Sequence, residues 1–290
     1  PHWKKCAKIS ACATIASEFI YMDPIISKET LYVFVSQSGE TADTLRAMEL
    51  VKEKGCTTVA ITNVLYASLA KAVDYMFPVC AGPEIAVAST KAYVCQLAIL
   101  YMLAKRFEEV LTGSSLNYLS DLEKVEEVIL NLDLKTLDNI AEDLKTQTTT
   151  IYIGKDLDYI TACEGCLKLK EISYINASSY PSGELKHGFL ALIEEGTIIF
   201  VLANHASINS KTHNAASEAT SRGAKAVLIG NKSVGDDFNP AYHIEMPDIN
   251  ELLLPMVSVV PLQYIAYLVS IKKGINPDQP RNLAKSVTVE

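Results

Sequence analysis

Several short stretches of this 290-residue chain combine residue types and spacings that could do chemistry. The first is Ser36-Gln37-Ser38-Gly39-Glu40-Thr41. Hydroxyls, free backbone N–H groups and a glycine at the start of a helix make an anion site, and the helix dipole favours negative charge there. No Lys or Arg lies within the six residues. That suits a small phosphate ester held by neutral donors and poorly suits a nucleic-acid backbone. A Ser/Thr-rich helix cap uses the same residue types and is the plainer reading. Ser89, in Ala86-Val87-Ala88-Ser89-Thr90-Lys91-Ala92, offers the same choice between ligand contact and cap.

Lys168 and Glu171 stand three apart on a predicted helix and share a face, with Glu164 two turns earlier. As an exposed ion pair the two would contribute only about 0.3–0.5 kcal/mol. His187 follows Gly183-Glu184-Leu185-Lys186 in a loop. A side chain that titrates near neutrality suits proton movement there, and a backbone-bonded loop histidine is the alternative. Lys285 lies in the C-terminal tail, a region usually disordered unless tied down. Cys163 and Cys166 form a C-x-x-C pair, but no second pair completes a zinc set, so both are expected to pack.

These residues need elements to hold them. Leu31–Val35 is a continuous apolar run of the kind found in buried parallel strands. Leu45, Met48, Leu50 and Val51 keep helical spacing up to a stop at Gly55. The chain also resembles itself. Phe34/Phe200, Asn63/Asn231 and Gln96/Gln263 recur at offsets of 166, 168 and 167, which predicts two duplicated α/β domains. Each half has a short Pro-containing strand, Tyr75–Pro78 and Ile244–Pro247, and an apolar closing helix.

Thr150–Gly154 and the helix around Ala162–Tyr174 open the second half and have no match in the first. Only 16 residues precede Ser17-Glu18-Phe19, which reads as the counterpart of Ser178-Ser179-Tyr180. The first domain is therefore expected to lack its opening strand and glycine turn. The predicted organisation is a first domain over 1–115, a helical connector over 116–145 packing across both domains, a second domain over 146–272 and a tail over 273–290.

Composition is that of an ordinary globular protein, 49% hydrophobic and 21% charged. A net charge of −8 argues against a nucleic-acid surface. Seven cysteines without framework spacing fit a reduced, cytoplasmic setting. Tyr93–Ala104 is short for a membrane span, and Leu252–Ile271 is interrupted by Pro255, Pro261 and Gln263, so both are expected to be buried or interface helices.

Ser36–Thr44, Ala86–Ala92, Lys168–Tyr174, Gly183–Gly188 and the tail from Asp278 to Glu290 together resemble one family. It is the SIS (sugar isomerase) family, in the paired form found in the isomerase half of glutamine–fructose-6-phosphate aminotransferases. The resemblance runs from about Ala16 to Glu290 and is most specific in the tail. It implies an α/β fold with two tandem SIS domains, each a three-layer αβα sandwich on a flavodoxin-like parallel sheet, the first truncated at its N-terminus. It implies conversion of fructose 6-phosphate and glutamine-derived ammonia to glucosamine 6-phosphate, with no metal and no cofactor.

Site roles follow from the same resemblance. Ser36, Gln37, Ser38 and Thr41 match phosphate-binding positions, and Val87, Ser89 and Ala284 match sugar contacts. Glu171 matches the carboxylate that carries a proton between C1 and C2, with Lys168 beside it. His187 matches a histidine that reaches the neighbouring subunit's site during ring opening, which implies a homodimer. Lys285 matches the lysine that forms a Schiff base with the open-chain sugar. A glutaminase domain is expected in the full-length enzyme; no nucleic acid or membrane partner is expected. The alternatives are a non-catalytic phosphosugar-binding regulator and another SIS ketose-phosphate isomerase or deaminase.

Overall fold

The computed structural model describes residues 2–231 and 238–285. Ser286–Glu290, the last part of the tail motif, lies outside them. The chain divides into two compact units. One takes the chain up to Leu116 and again from Arg281, and the other is Asn117–Pro280.

The first unit runs α1 (His2–Cys6), α2 (Ala16–Phe19), β1 (Tyr32–Ser36), α3 (Ala42–Glu53), β2 (Thr58–Thr62), α4 (Ser68–Ala72), β3 (Tyr75–Pro78) and α5 (Lys91–Thr112). Its strands form one parallel sheet in the order β1-β2-β3. Alternation along the strands feeds two apolar layers. Ala60 packs with Met48 of α3 and Leu69 of α4 on one face, and Ile61 with Ile99 of α5 on the other.

The second unit runs α6 (Leu119–Leu130), α7 (Leu134–Leu144), β4 (Thr149–Gly154), α8 (Leu157–Ser173), β5 (Asn176–Pro181), β6 (Ile198–Ala203), α9 (Asn209–Thr220), β7 (Lys225–Gly230), β8 (Tyr242–Ile244) and α10 (Leu254–Lys272). Its parallel sheet has the order β5-β4-β6-β7-β8. Ile199, Val201 and Leu228 pack towards Ala215, Ala216 and Ala219 of α9. On the other face Tyr152 stacks on Phe200 at 4.4 Å. Asp133 caps α7, accepting from Lys135 N–H and Thr136 N–H, so the predicted connector is two helices, both within this unit.

β1-β2-β3 and β6-β7-β8 share one neighbour order, as the internal repeat predicts. In the first unit, β4 and β5 have no counterpart among the described residues. That absence corrects two expectations. β1 was expected to be a buried strand, yet among the described residues it pairs only with β2, at the edge of the sheet, and Val35 is 41% exposed. Ser17-Glu18-Phe19 was expected to match strand β5, yet it forms the helical turn α2. β5 is held by pairing to β4 alone, and without that partner the segment's backbone groups turn to local bonds. The short strand of the second half also sits earlier than expected, at Tyr242–Ile244.

α10 is long and apolar enough to cross a membrane, but two-thirds of its apolar window (67%) is buried within the unit. It packs on α7 and α8. Gly165 makes that approach possible, since a Cβ there would lie 2.5 Å from Leu262 Cδ1. All seven cysteines are free.

Candidate functional site

In a parallel sheet the strand C-termini and the loops after them gather along one edge, where ligands bind. The Ser36–Thr41 turn leaves β1 at that edge. Gly39 has φ +67°, and a Cβ on it would meet Ala67 Cβ at 2.6 Å and Thr62 Oγ1 at 2.9 Å. Only glycine fits there. The tight turn brings Ser36 Oγ to 3.2 Å from Thr41 Oγ1, and Gly39 N–H donates to Ser36 Oγ at 3.0 Å.

Thr41 is the N-cap residue of α3, yet its side chain makes no capping bond. The hydroxyl faces Ser36, and the first N–H groups of a 12-residue helix are left without a side-chain acceptor from their cap. The turn is therefore not held as a side-chain cap of α3. Glu40 is turned aside, its Oε1 accepting from Ser68 N–H at 2.7 Å. That bond and the Ser68 side chain hold its carboxyl below the ordinary range.

Two residues outside the expected set complete this edge of the first unit. Asn63, just after β2, donates its N–H to Gln37 O at 3.2 Å. Its side chain donates to Gly82 O at 2.8 Å and accepts from Ala81 N–H at 3.0 Å. Asn63 thus ties the hydroxyl loop to the segment after β3. The second is Glu84, whose side chain is 4% exposed. Its Oε1 accepts from Thr90 N–H at 2.9 Å and Ala92 N–H at 3.3 Å, capping α5. Its Oε2 accepts from Ser89 Oγ at 2.8 Å and from the Lys285 ammonium at 2.9 Å.

Ser89 is therefore not the cap of α5. Lys285 also donates to Ala86 O at 2.8 Å, so its stretch of the tail is tied down. Burial alone would push the Glu84 carboxyl up. The Thr90 N–H, the Lys285 ammonium, the Ser89 hydroxyl and the Ala92 N–H outweigh burial and hold it below the ordinary range. Val87 lies in the same segment, partly buried, and Ala284 is exposed beside Lys285.

In the second unit, α8 presents Lys168, Glu164 and Glu171 together. Lys168 is 4% exposed, which removes the surface-pair reading. Its ammonium lies 3.5 Å from Glu164 Oε1 and 2.8 Å from Glu171 Oε2. The second contact is a close ion pair, with Glu171 Oε2 itself buried. The ion pair fixes the Glu171 carboxylate in position on α8. Burial raises the Glu164 carboxyl, with Lys168 opposing and Glu171 adding to the rise. Cys166 is buried and Cys163 half-buried, where it accepts from Ser179 Oγ at 3.3 Å; burial pushes the Cys166 thiol up. His187 ends a short 3-10 helix, Ser182–Lys186, and is exposed.

The second unit carries no copy of the hydroxyl loop. At the corresponding edge Asn204 follows β6 and gives its N–H and its Nδ2 to Asp158 of α8, at 2.9 and 2.6 Å. Asp158 is buried, and burial lifts its carboxyl against those bonds. The Asn204 N–H at this edge is thus already taken up by a side chain of α8.

Comparison with known proteins agrees with this anatomy. The SIS domain family matches residues 2–106 and 143–273. A glutamine–fructose-6-phosphate aminotransferase [isomerizing] of Clostridium acetobutylicum is 45% identical over 302 aligned residues, taking in 99% of this chain and 48% of the relative. The chain therefore spans about half the length of the curated relatives it matches. Among solved structures, the C-terminal domain of glucosamine-fructose-6-phosphate aminotransferase from Francisella tularensis superposes with a TM-score of 0.88 at 37% identity. That match covers 96% of this chain and 82% of the other. A glucosamine-6-phosphate deaminase from Thermotoga maritima, at 24% identity and a TM-score of 0.72 over 99% of this chain and 84% of the other, shares the fold.

Proposed function

The chain belongs to the SIS domain family, and from that premise we propose that it is the isomerase domain of an enzyme making glucosamine 6-phosphate from fructose 6-phosphate and ammonia. The observation that carries the reading is the buried Lys168 ammonium holding the Glu171 carboxylate at 2.8 Å, with Glu164 at 3.5 Å on the same face. A regulator that only binds a phosphosugar has no use for such a group.

The hydroxyls of Ser36, Ser38 and Thr41, with Gln37 and the start of α3, take the phosphate. Val87, Ser89 and Ala284 contact the sugar. His187 moves the proton that opens the ring, and it serves the site of a second subunit in a homodimer. The Lys285 amine, once free of its proton, adds to the C2 carbonyl and water leaves, giving a Schiff base. Ammonia then adds at C2 and the lysine amine departs, leaving the C2 imine of the sugar. Glu171 takes a proton from C1 and returns it to C2, while the C1 hydroxyl gives up its proton to become the aldehyde and the imine nitrogen takes up one to become the amine. The product is glucosamine 6-phosphate. Lys168 keeps Glu171 oriented between steps. The ammonia comes from glutamine through a glutaminase domain of the full-length enzyme, in a reduced, cytoplasmic setting.

Without ammonia, the same proton transfer would convert fructose 6-phosphate to glucose 6-phosphate. Glu171→Gln should abolish that conversion while sugar binding persists. Conversion that continues in the folded variant would remove Glu171 from the reaction.

A further inference from the structure

Glu84 divides its two oxygens between two tasks. Oε1 serves the backbone, accepting from Thr90 N–H and Ala92 N–H at the start of α5. Oε2 serves side chains, accepting from Ser89 Oγ and the Lys285 ammonium. A carboxylate kept only as a cap needs no second partner set, and an amide would cap as well. The ion pair spans 201 positions of sequence and lies largely out of water, with side-chain exposures of 4% for Glu84 and 28% for Lys285.

We propose that Glu84 is the positioning residue for Lys285, holding the amine beside the Ser89 hydroxyl and thereby registering the C-terminal tail on the start of α5. The catalytic part of this inference rests on the Schiff-base reading given above; the holding part does not. Glu84 acts through Lys285 and does not touch the reacting carbon. Its carboxyl is held below the ordinary range, so it remains ionised and retains the ammonium instead of accepting its proton. The proton goes to solvent as the amine leaves Glu84 to attack. The hydroxyl of Ser89, bonded to the same oxygen, marks where the amine waits.

Glu84→Gln tests the division of labour. The amide oxygen can keep the Thr90 and Ala92 bonds, whereas the charge that holds Lys285 is gone. Amine acylation by acetic anhydride at one fixed pH, mapped by mass spectrometry, reads the hold with no sugar present. Labelling of Lys285 relative to exposed Lys54 should rise about tenfold in the variant, the scale of a lost charge-assisted bond. In the unsubstituted chain Lys285 should label several-fold more slowly than Lys54, a measurement that needs no variant to fold. With fructose 6-phosphate and borohydride, the plateau of adduct at Lys285 should fall in Glu84→Gln even at saturating sugar.

Equal labelling of Lys285 and Lys54 in the unsubstituted chain would overturn the inference. So would a folded variant with unchanged Lys285 labelling, or one with an unchanged plateau. If labelling behaves as expected but neither chain yields an adduct, the hold stands and the Schiff-base reading fails.

Discussion

Replacing Lys168 by Met should destabilise the second unit by about 2–4 kcal/mol at pH 7. The figure starts from the roughly 3–5 kcal/mol lost when one partner of a buried ion pair is removed. It is reduced because the two carboxylates keep some water contact, with side-chain exposures of 12% for Glu164 and 23% for Glu171 against 5% for Lys168. The deficit should depend on pH in a definite direction. Glu164 is already raised by burial, and Lys168 is the main influence pulling it down. Without Lys168 it rises further, so the folded variant binds protons before the unfolded chain does. Where the folded state holds more protons, stability grows as pH falls. The deficit is therefore largest at and above neutrality and shrinks towards pH 5.

The assay must read the right unit. The single tryptophan, Trp3, lies in the first unit, so its fluorescence would miss the event. Amide hydrogen exchange in α8 at pH 7 and pH 5 reports it directly. A loss below about 1 kcal/mol at pH 7, or an equal loss at both pH values, would refute the reasoning.

Gly39→Ala should cost the first unit about 1–2 kcal/mol in backbone strain alone and weaken phosphate-ester binding at least roughly tenfold, measured by calorimetry, while exchange in α8 is unchanged. Ser36→Ala and Thr41→Val should each weaken fructose 6-phosphate binding by about tenfold or more, the scale of a hydrogen bond to a charged group, with the fold intact. His187→Asn should slow turnover of the ring-closed sugar. Mixing it with Lys285→Arg should restore part of the activity, since one subunit's intact His187 would serve the other's intact Lys285. No recovery in a mixed dimer would place His187 in its own subunit's reaction or outside it.

Local chemistry was readable from the chain, and long-range chemistry was not. Ser36–Thr41 could be read because its glycine, its hydroxyls and the following helix are neighbours in sequence. The Lys168–Glu171 face followed from helical spacing, but only the fold shows that Gly165 lets α10 pack closely on α8. Glu84 carried no signal, because its defining partner is 201 residues away and its cap bonds resemble those of any acidic residue before a helix. Asn63 was visible as a repeat anchor without its role of joining Gln37 to Ala81 and Gly82. The edge position of β1 and the helical turn of α2 escaped a reading of composition for a related reason. Whether a strand forms depends on its neighbour, and the neighbour of β6 has no equivalent beside β1 among the described residues.

In the proposed chemistry the Lys285 amine, bonded to Glu84 and Ala86 in the structure, would leave them to join the sugar covalently. Incubation with fructose 6-phosphate, reduction with borohydride and peptide mapping tests it in one measurement. A single hexitol phosphate on Lys285 is expected, absent when inorganic phosphate fills the loop. A folded protein with no adduct, or with the adduct on Lys168 or another lysine, would contradict it.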